Sequence, residues 1–323
     1  MHKLVNSSTN TGFAIAISWP ETYCKQAGNW YDNILNSIGL AKHHYYKVGH
    51  AALVLVNAEN GECRYFDFGR YHTPWKMGRA RSEKTDPGLK IKTIARISAV
   101  KKELCNFKEI LAELQHNPEC HGEGAIHASY GPVDYDKALA KACWYEDKSP
   151  FWYGPFRYRG CNCSRFVNDC IVAGKPKLSS LLKLRVFIPL TPTTLNNVNA
   201  LDHKTVLPKM LTSAPFVPAP LQDKLFLKTT LAQPERAPGI PDEAQWLSGE
   251  GCGSWFQIEA YEKEYQITRY NKEAEIEFRA LFHLSGGASF DINKAYQFDY
   301  LSHYNKVCIV QNKQSFEFCK TPA

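Results

Sequence analysis

Nine of the chain's eighteen prolines fall between Pro189 and Pro241. Each proline fixes φ and removes an amide donor, so neither a long helix nor a central strand fits there. The stretch reads as a linker, or as an extended arm lying on a domain. It divides the 323 residues into an N-terminal unit over 1–188, a proline-rich segment over 189–241 and a C-terminal unit over 242–323. No internal repeat is visible.

The two flanks differ in texture. Upstream, the apolar run from Phe13 to Ser18 is a buried strand ended by Pro20. Trp30, Ile34, Leu35, Ile38 and Leu40 have near-helical spacing. The runs His50–Val56 and Cys63–Phe68 flank Asn60-Gly61, a hairpin signal. Helices are expected over 101–115 and over 134–146, the second capped by Asp134. Downstream, six short β-rich runs (255–258, 265–270, 275–278, 296–300, 307–310 and 316–318), with turn residues such as Gly286-Gly287 between them, predict a small antiparallel β domain. No reactive constellation is evident in it, so substrate recruitment or a partner protein is its expected role.

Charge and cysteine usage narrow the class. The chain carries 39 basic and 32 acidic residues, a formal net charge of +7, but the positive charge is scattered. No nucleic-acid partner is expected. Eleven cysteines without a leader pattern suggest free thiols and a cytoplasmic protein, unless export uses a route that leaves no leader. The early apolar stretch Phe13–Trp19 is too short for a transmembrane segment.

One stretch carries chemistry. From Gly160 to Gly174 the sequence reads as a helix with Asn162 as N-cap and Gly174 at the C′ position. Cys163, Phe166, Val167, Cys170 and Ile171 share its apolar face. Cys163 would sit in the first turn, where the helix dipole and free amides favour thiolate and could hold an oxyanion. His50, opening a strand after Gly49, is the candidate base. Hairpin parity places His50, Ala52 and Val54 on the face that carries Asp67 and Tyr65, so Asp67 is the candidate orienting group. Asp67 could equally form a structural ion pair with Arg70 or Arg64. Asn162, Ser164 and Tyr65 are candidate oxyanion or mouth residues, and Cys161 is expected at the mouth. Cys161, Cys163, Cys120, His121 and His127 fit no compact four-ligand zinc pattern, so neither metal nor cofactor is expected.

Gly49-His50 opening an apolar strand, then a hairpin, then Asn162-Cys163-x-x-Phe166-Val167 opening a helix, resembles the circularly permuted NlpC/P60 group of papain-like folds. There the histidine precedes the cysteine, as it does here. Tyr65-Phe-Asp-Phe-Gly-Arg-Tyr71 and Tyr153-Gly-Pro-Phe156 also resemble bacterial proteins of this type, and the likeness covers about residues 12–175. It implies an α+β fold with the cysteine helix packed on an antiparallel sheet. It also implies a cysteine hydrolase acting through an acyl-enzyme on an amide or acyl bond. A peptidase or amidase comes first, with a cell-wall peptide among its substrates; an acyltransferase or acyl-ester hydrolase is the related alternative. A catalytically silent binding module on the same scaffold is the competing class.

Overall fold

Every residue of the first strand, Gly12–Trp19 (β1), is buried, which requires cover on both faces of its sheet. The computed structural model describes residues 10–322 except 27, 40, 121, 210–215, 221–223 and 287–288. After β1 come Tyr23–Lys25 (β2), the short helix Asp32–Ser37 (α1), Ala41–Lys42 (β3), Tyr45–Lys47 (β4) and His50–Asn57 (β5). Cys63–Gly69 (β6), Met77–Arg81 (β7), Phe107–His116 (α2), Ile126–Val133 (β8), Tyr135–Lys148 (α3) and Phe151–Trp152 (β9) follow. Cys163–Ala173 (α4), Leu178–Arg185 (α5), Thr194–Ala200 (α6) and His203–Leu207 (β10) complete the first unit.

The seven-stranded sheet has the order β10-β8-β1-β5-β6-β7-β9, with every pairing antiparallel. Alternation splits its side chains between two cores. Ala14, Ala51, Leu53, Leu55, Phe66 and Phe68 meet Phe166, Val167, Cys170 and Ile171 of α4, together with α3 and α6. Ile15, Ile17, Ala52, Val54 and Val56 meet Ile110, Leu111 and Leu114 of α2. A small sheet, β2-β4-β3, stands beside the start of β5.

The second unit is a seven-stranded antiparallel sheet, order β11-β12-β13-β14-β17-β16-β15. Its strands are Gln245–Ser248 (β11), Gly253–Tyr261 (β12), Glu264–Tyr270 (β13), Ile276–Ser285 (β14), Gln297–His303 (β15), Lys306–Gln311 (β16) and Gln314–Lys320 (β17). The six strands expected from sequence are present, and β11 is added. Gly287, in the expected turn, lies outside the described residues.

Three expectations change. The segment over 189–241 was expected to be a linker or arm, yet α6 packs on β1 and β8, and β10 pairs with the edge of β8. Strand β10 is an edge strand without proline, so proline density did not forbid it. Helix α2 begins at Phe107 rather than near 101, because Ile97 bridges Leu104 and Lys102 has a positive φ of 53°. Helix α1 spans only Asp32–Ser37 and leaves Ile34 and Ile38 exposed; Leu40, the last residue of the expected helix, lies outside the described residues.

Candidate active site

The N-terminus of α4 abuts the start of β5. Asn162 caps the helix by accepting a hydrogen bond from the Arg165 amide at 2.8 Å, as its residue type dictates. The cap fixes Cys163 in the first turn, on the face buried against the sheet. Cys163 is only 6% exposed, yet it lines a cleft of about 540 Å³ bounded by β2, β4, α1, the 153–156 loop and the start of α6.

Behind Cys163, and outside the cleft lining, stand His50 and Asp67. His50 lies opposite Trp19 in the register of β1 and β5, and their rings stack with centroids 5.8 Å apart. His50 Nε2 is 3.4 Å from Asp67 Oδ2, because Asp67 pairs with Ala52, the next residue on the face of His50. The Cys163 thiol is the other partner of this imidazole. Burial pushes the thiol pKa up, but hydrogen bonding and charge from His50 and the Ala51 amide outweigh it, so the net shift is downward. Burial opposes protonation of His50, yet Asp67 and Cys163 raise it to about 9. Both shifts favour the charged thiolate–imidazolium form of the pair over the neutral one.

Asp67 is clamped from the far side. Arg81 Nε donates to Oδ1 at 2.9 Å and Arg81 Nη2 to Oδ2 at 2.7 Å. The hydroxyls of Tyr71 and Tyr65 donate to Oδ2 at 3.1 and 3.3 Å. Burial would raise the carboxyl pKa, but Arg81 first, then His50, hold it well below the usual carboxylate range. The ion-pair partner is therefore Arg81, not Arg70 or Arg64. Arg70 pairs with Glu250 at 2.6 Å, and Arg64 lies 3.4 Å from Glu83. Arg81 stands directly opposite Asp67 in the β6–β7 register, a pairing that becomes visible once Met77–Arg81 is recognised as a strand.

Other expected site residues separate. Asn162 and Ser164 line the cleft, with Ser164 Oγ 4.0 Å from the Cys163 sulfur. Tyr65 does not belong to the mouth: it is buried behind Asp67, on the α2 side of the sheet. Cys161 is not at the mouth either. Its backbone pairs with Trp152 and Tyr153, its side chain is buried, and burial drives its thiol pKa upward. Cys120 lies near Asp67 and Tyr65, away from the cleft lining, and His121 is outside the described residues. Cys24, Tyr153 and Arg70, which sequence reasoning did not assign to the site, share the cleft with Cys163. No local spacing links them; the tertiary fold alone brings them together.

The arrangement supplies a nucleophile, a proton carrier, a fixed carboxylate and helix N-terminal amides beside the sulfur, the parts needed for acyl transfer.

A family model described as type VI secretion system effector TseH-like matches residues 14–180, just over half of the chain. The DUF6695 C-terminal domain matches residues 244–321. The crystal structure of the type VI secretion system effector TseH aligns with 62% of this chain and 100% of its own, at 19% identity and a TM-score of 0.38. That similarity is too low to carry residues across. No curated protein matches. Among the described residues, no helix is long and apolar enough to cross a membrane.

Proposed function

This chain belongs to the type VI secretion system effector TseH-like family, and from that premise we propose that it is a cysteine hydrolase working through an acyl-enzyme. The convergence of His50 and Asp67 on Cys163, which lines the cleft, carries this reading. The strand-borne histidine precedes the helix-borne cysteine in the chain, which supports the permuted NlpC/P60 arrangement. Cys163 attacks a carbonyl carbon as thiolate, and amides at the start of α4 receive the oxyanion. The His50 imidazolium then passes its proton to the leaving nitrogen or oxygen. Asp67 keeps the ring oriented, and Arg81 keeps Asp67 ionised. Water, deprotonated by His50, releases the acyl group. The bond cleaved is an amide, in first place that of a cell-wall peptide. Delivery as an effector would bring the chain to such a substrate.

The test is iodoacetamide labelling between pH 5 and 9, read peptide by peptide. Cys163 should label first among the eleven cysteines, below the pH expected of a free thiol at ~8.5. In His50→Ala its labelling should move to higher pH, because the imidazolium that stabilises thiolate is gone. Labelling of Cys163 no faster than of Cys170, buried on the same helix, would leave a silent binding scaffold as the better reading.

A further inference from the structure

Three segments that supply lining residues to the cleft, over 33–48, 148–168 and 170–201, hold ten lysines and arginines and no acidic residue. The carboxylates that flank them are already engaged. Asp32 accepts from the Tyr46 hydroxyl at 2.6 Å and the Asn29 amide at 2.8 Å. Asp169 accepts from the Tyr145 hydroxyl, Asp202 pairs with Lys177, and Asp147 pairs with Lys84. Glu21, beside the lining residue Pro20, lays its carboxylate against Gly124. Inside the cleft, Lys25 and Arg70 share the buried Glu250 behind its wall, at 3.9 and 2.6 Å. At the rim, Lys42, Lys47, Arg157 and Arg159 pair with no carboxylate among the described residues. The same rim exposes large apolar side chains. Trp30 is 73% exposed, Ile34 and Ile38 stand out along α1, Phe156 and Tyr158 project from the loop after β9, and Leu190 adjoins the lining residue Thr191. Trp30 meets Tyr31 edge-on at 5.6 Å, Tyr31 meets Phe156 at 5.2 Å, and Arg157 Nη2 donates to Asn29 Oδ1 at 3.3 Å. These contacts join α1 and the 153–159 loop into one lip.

We infer that this lip docks the mouth of the cleft on an anionic lipid bilayer, with Trp30, Ile34, Ile38, Phe156 and Tyr158 entering the interface and Lys42, Lys47, Arg157 and Arg159 meeting lipid phosphates. Apolar side chains left in water beside one another mark an interaction surface. Here they alternate with cations, and Arg159 lies over the Tyr158 ring at 5.3 Å. Tryptophan and tyrosine settle at the level of the headgroups, while arginine and lysine reach the phosphates from the same depth. The charge argues for lipid over protein. A protein partner would have to place a carboxylate opposite each of these cations, whereas a phosphate surface offers anions in every direction. Docking in this pose turns the cleft, and Cys163 within it, towards the membrane surface. It does not depend on the chemistry at Cys163.

Co-sedimentation of the whole chain with lipid vesicles tests it, using phosphatidylcholine alone and phosphatidylcholine mixed equally with phosphatidylglycerol. Binding to the mixed vesicles should be about tenfold tighter or more, and should weaken at high salt. Lys42→Glu combined with Arg159→Glu, both at exposed positions, should lower it by about twentyfold or more, since each cation near the surface counts about fivefold. Trp30→Ser should lower it by about tenfold. Phosphatidylglycerol with brominated acyl chains should quench the native protein's tryptophan emission, a readout that stands if a variant fails to fold. Equal binding to both vesicle types, binding without quenching, or native affinity in the folded variants would overturn the inference. So would a dimer on gel filtration that Trp30→Ser breaks, which would assign the lip to a second copy of the chain. None of these readouts involves Cys163 labelling, so failure of the docking is told apart from failure of the hydrolase reading.

Discussion

At the scale of single residues, Asp67 holds the site and the fold at once. It faces His50 on one side and the Arg81 guanidinium on the other, and neither Asp67 nor Arg81 is more than 2% exposed. Asp67→Asn removes the one carboxylate that hydrogen-bonds Arg81 among the described residues and leaves this buried cation only the more distant Glu119 carboxylate, at 3.9 Å. A loss of about 3–5 kcal/mol in stability is expected on chemical unfolding. In whatever remains folded, Cys163 labelling should move to higher pH, because His50 loses the group that raises its pKa. Tyr71→Phe separates the two effects. It removes one hydroxyl donor at 3.1 Å and keeps Arg81 paired, so it should cost about 1 kcal/mol and leave the labelling pH close to native. Equal stability of Asp67→Asn and the native protein would show that the Arg81 pair contributes little.

At the scale of elements, α4 was the most legible part of the chain. Its cap, its apolar face and its length follow from local sequence, because a helix end is decided by hydrogen bonds within a few residues. Its C-terminal end was only half legible. Gly174 ends the helix as expected, but at φ −72° rather than in the left-handed region, which Lys175 occupies at φ 49°. Glycine is needed for a different reason: a Cβ there would meet the Cβ atoms of Ala138 and Val133 at 3.0 Å. Gly174→Ala should therefore push α4 away from α3 and β8 and cost about 1–3 kcal/mol. Thermal unfolding measures it, and an unchanged or raised midpoint would mean the neighbours yield freely. The hairpin of β5 and β6 was equally legible, since Asn60-Gly61 between two β-rich runs fixes its parity. Strand β7 was not, because Met77-Gly-Arg-Ala-Arg81 is rich in charge that only a buried ion-pair layer explains.

At the scale of the whole molecule, that layer joins the two units. Arg79 grips Asp86 through both amino groups, at 2.8 and 3.0 Å, and Arg269 of β13 reaches the same carboxylate at 3.1 Å. Nearby, His72 Nε2 lies 2.9 Å from Ser254 Oγ, which itself donates to Glu277. Burial, then the charges of Arg269, Arg79 and Arg81, push the His72 pKa well down against the pull of Asp86. The unfolded chain thus takes up a proton near pH ~6.5 that the folded one refuses. Stability should fall below that pH, with a limiting slope of about 1.4 kcal/mol per pH unit for this group. His50 acts in the opposite sense. Its raised pKa contributes stability that is complete below about 6.5 and is lost as pH rises towards about 9. Cys163, whose pKa is lowered, opposes that loss over the same range, so the thermal midpoint should rise with pH up to ~6.5 and change little beyond it. His72→Gln should lessen the acid limb, to which His303 also contributes. An acid limb unchanged in that variant would assign it to other groups. Proteolysis between Leu207 and Gln245, where the chain passes from one sheet to the other, should leave fragments that stay together at neutral pH on gel filtration.

The sequence by itself determined what is settled over short distances. It marked the strands by their period, the hairpin by Asn-Gly, the capped helix that aims Cys163 inwards, and the parity that puts His50 and Asp67 on one face. These depend on local hydrogen bonding and on alternation, which a few neighbouring residues decide. Only the tertiary structure decided that Arg81 rather than Arg70 pairs with Asp67, that Tyr65 sits behind the site, and that Glu250 sits behind the wall of the cleft. Buried charges choose partners by proximity in the folded core, where an unpaired ion is costly. Residues 70 and 250 come together through the packing of two sheets, and no spacing along the chain encodes that distance.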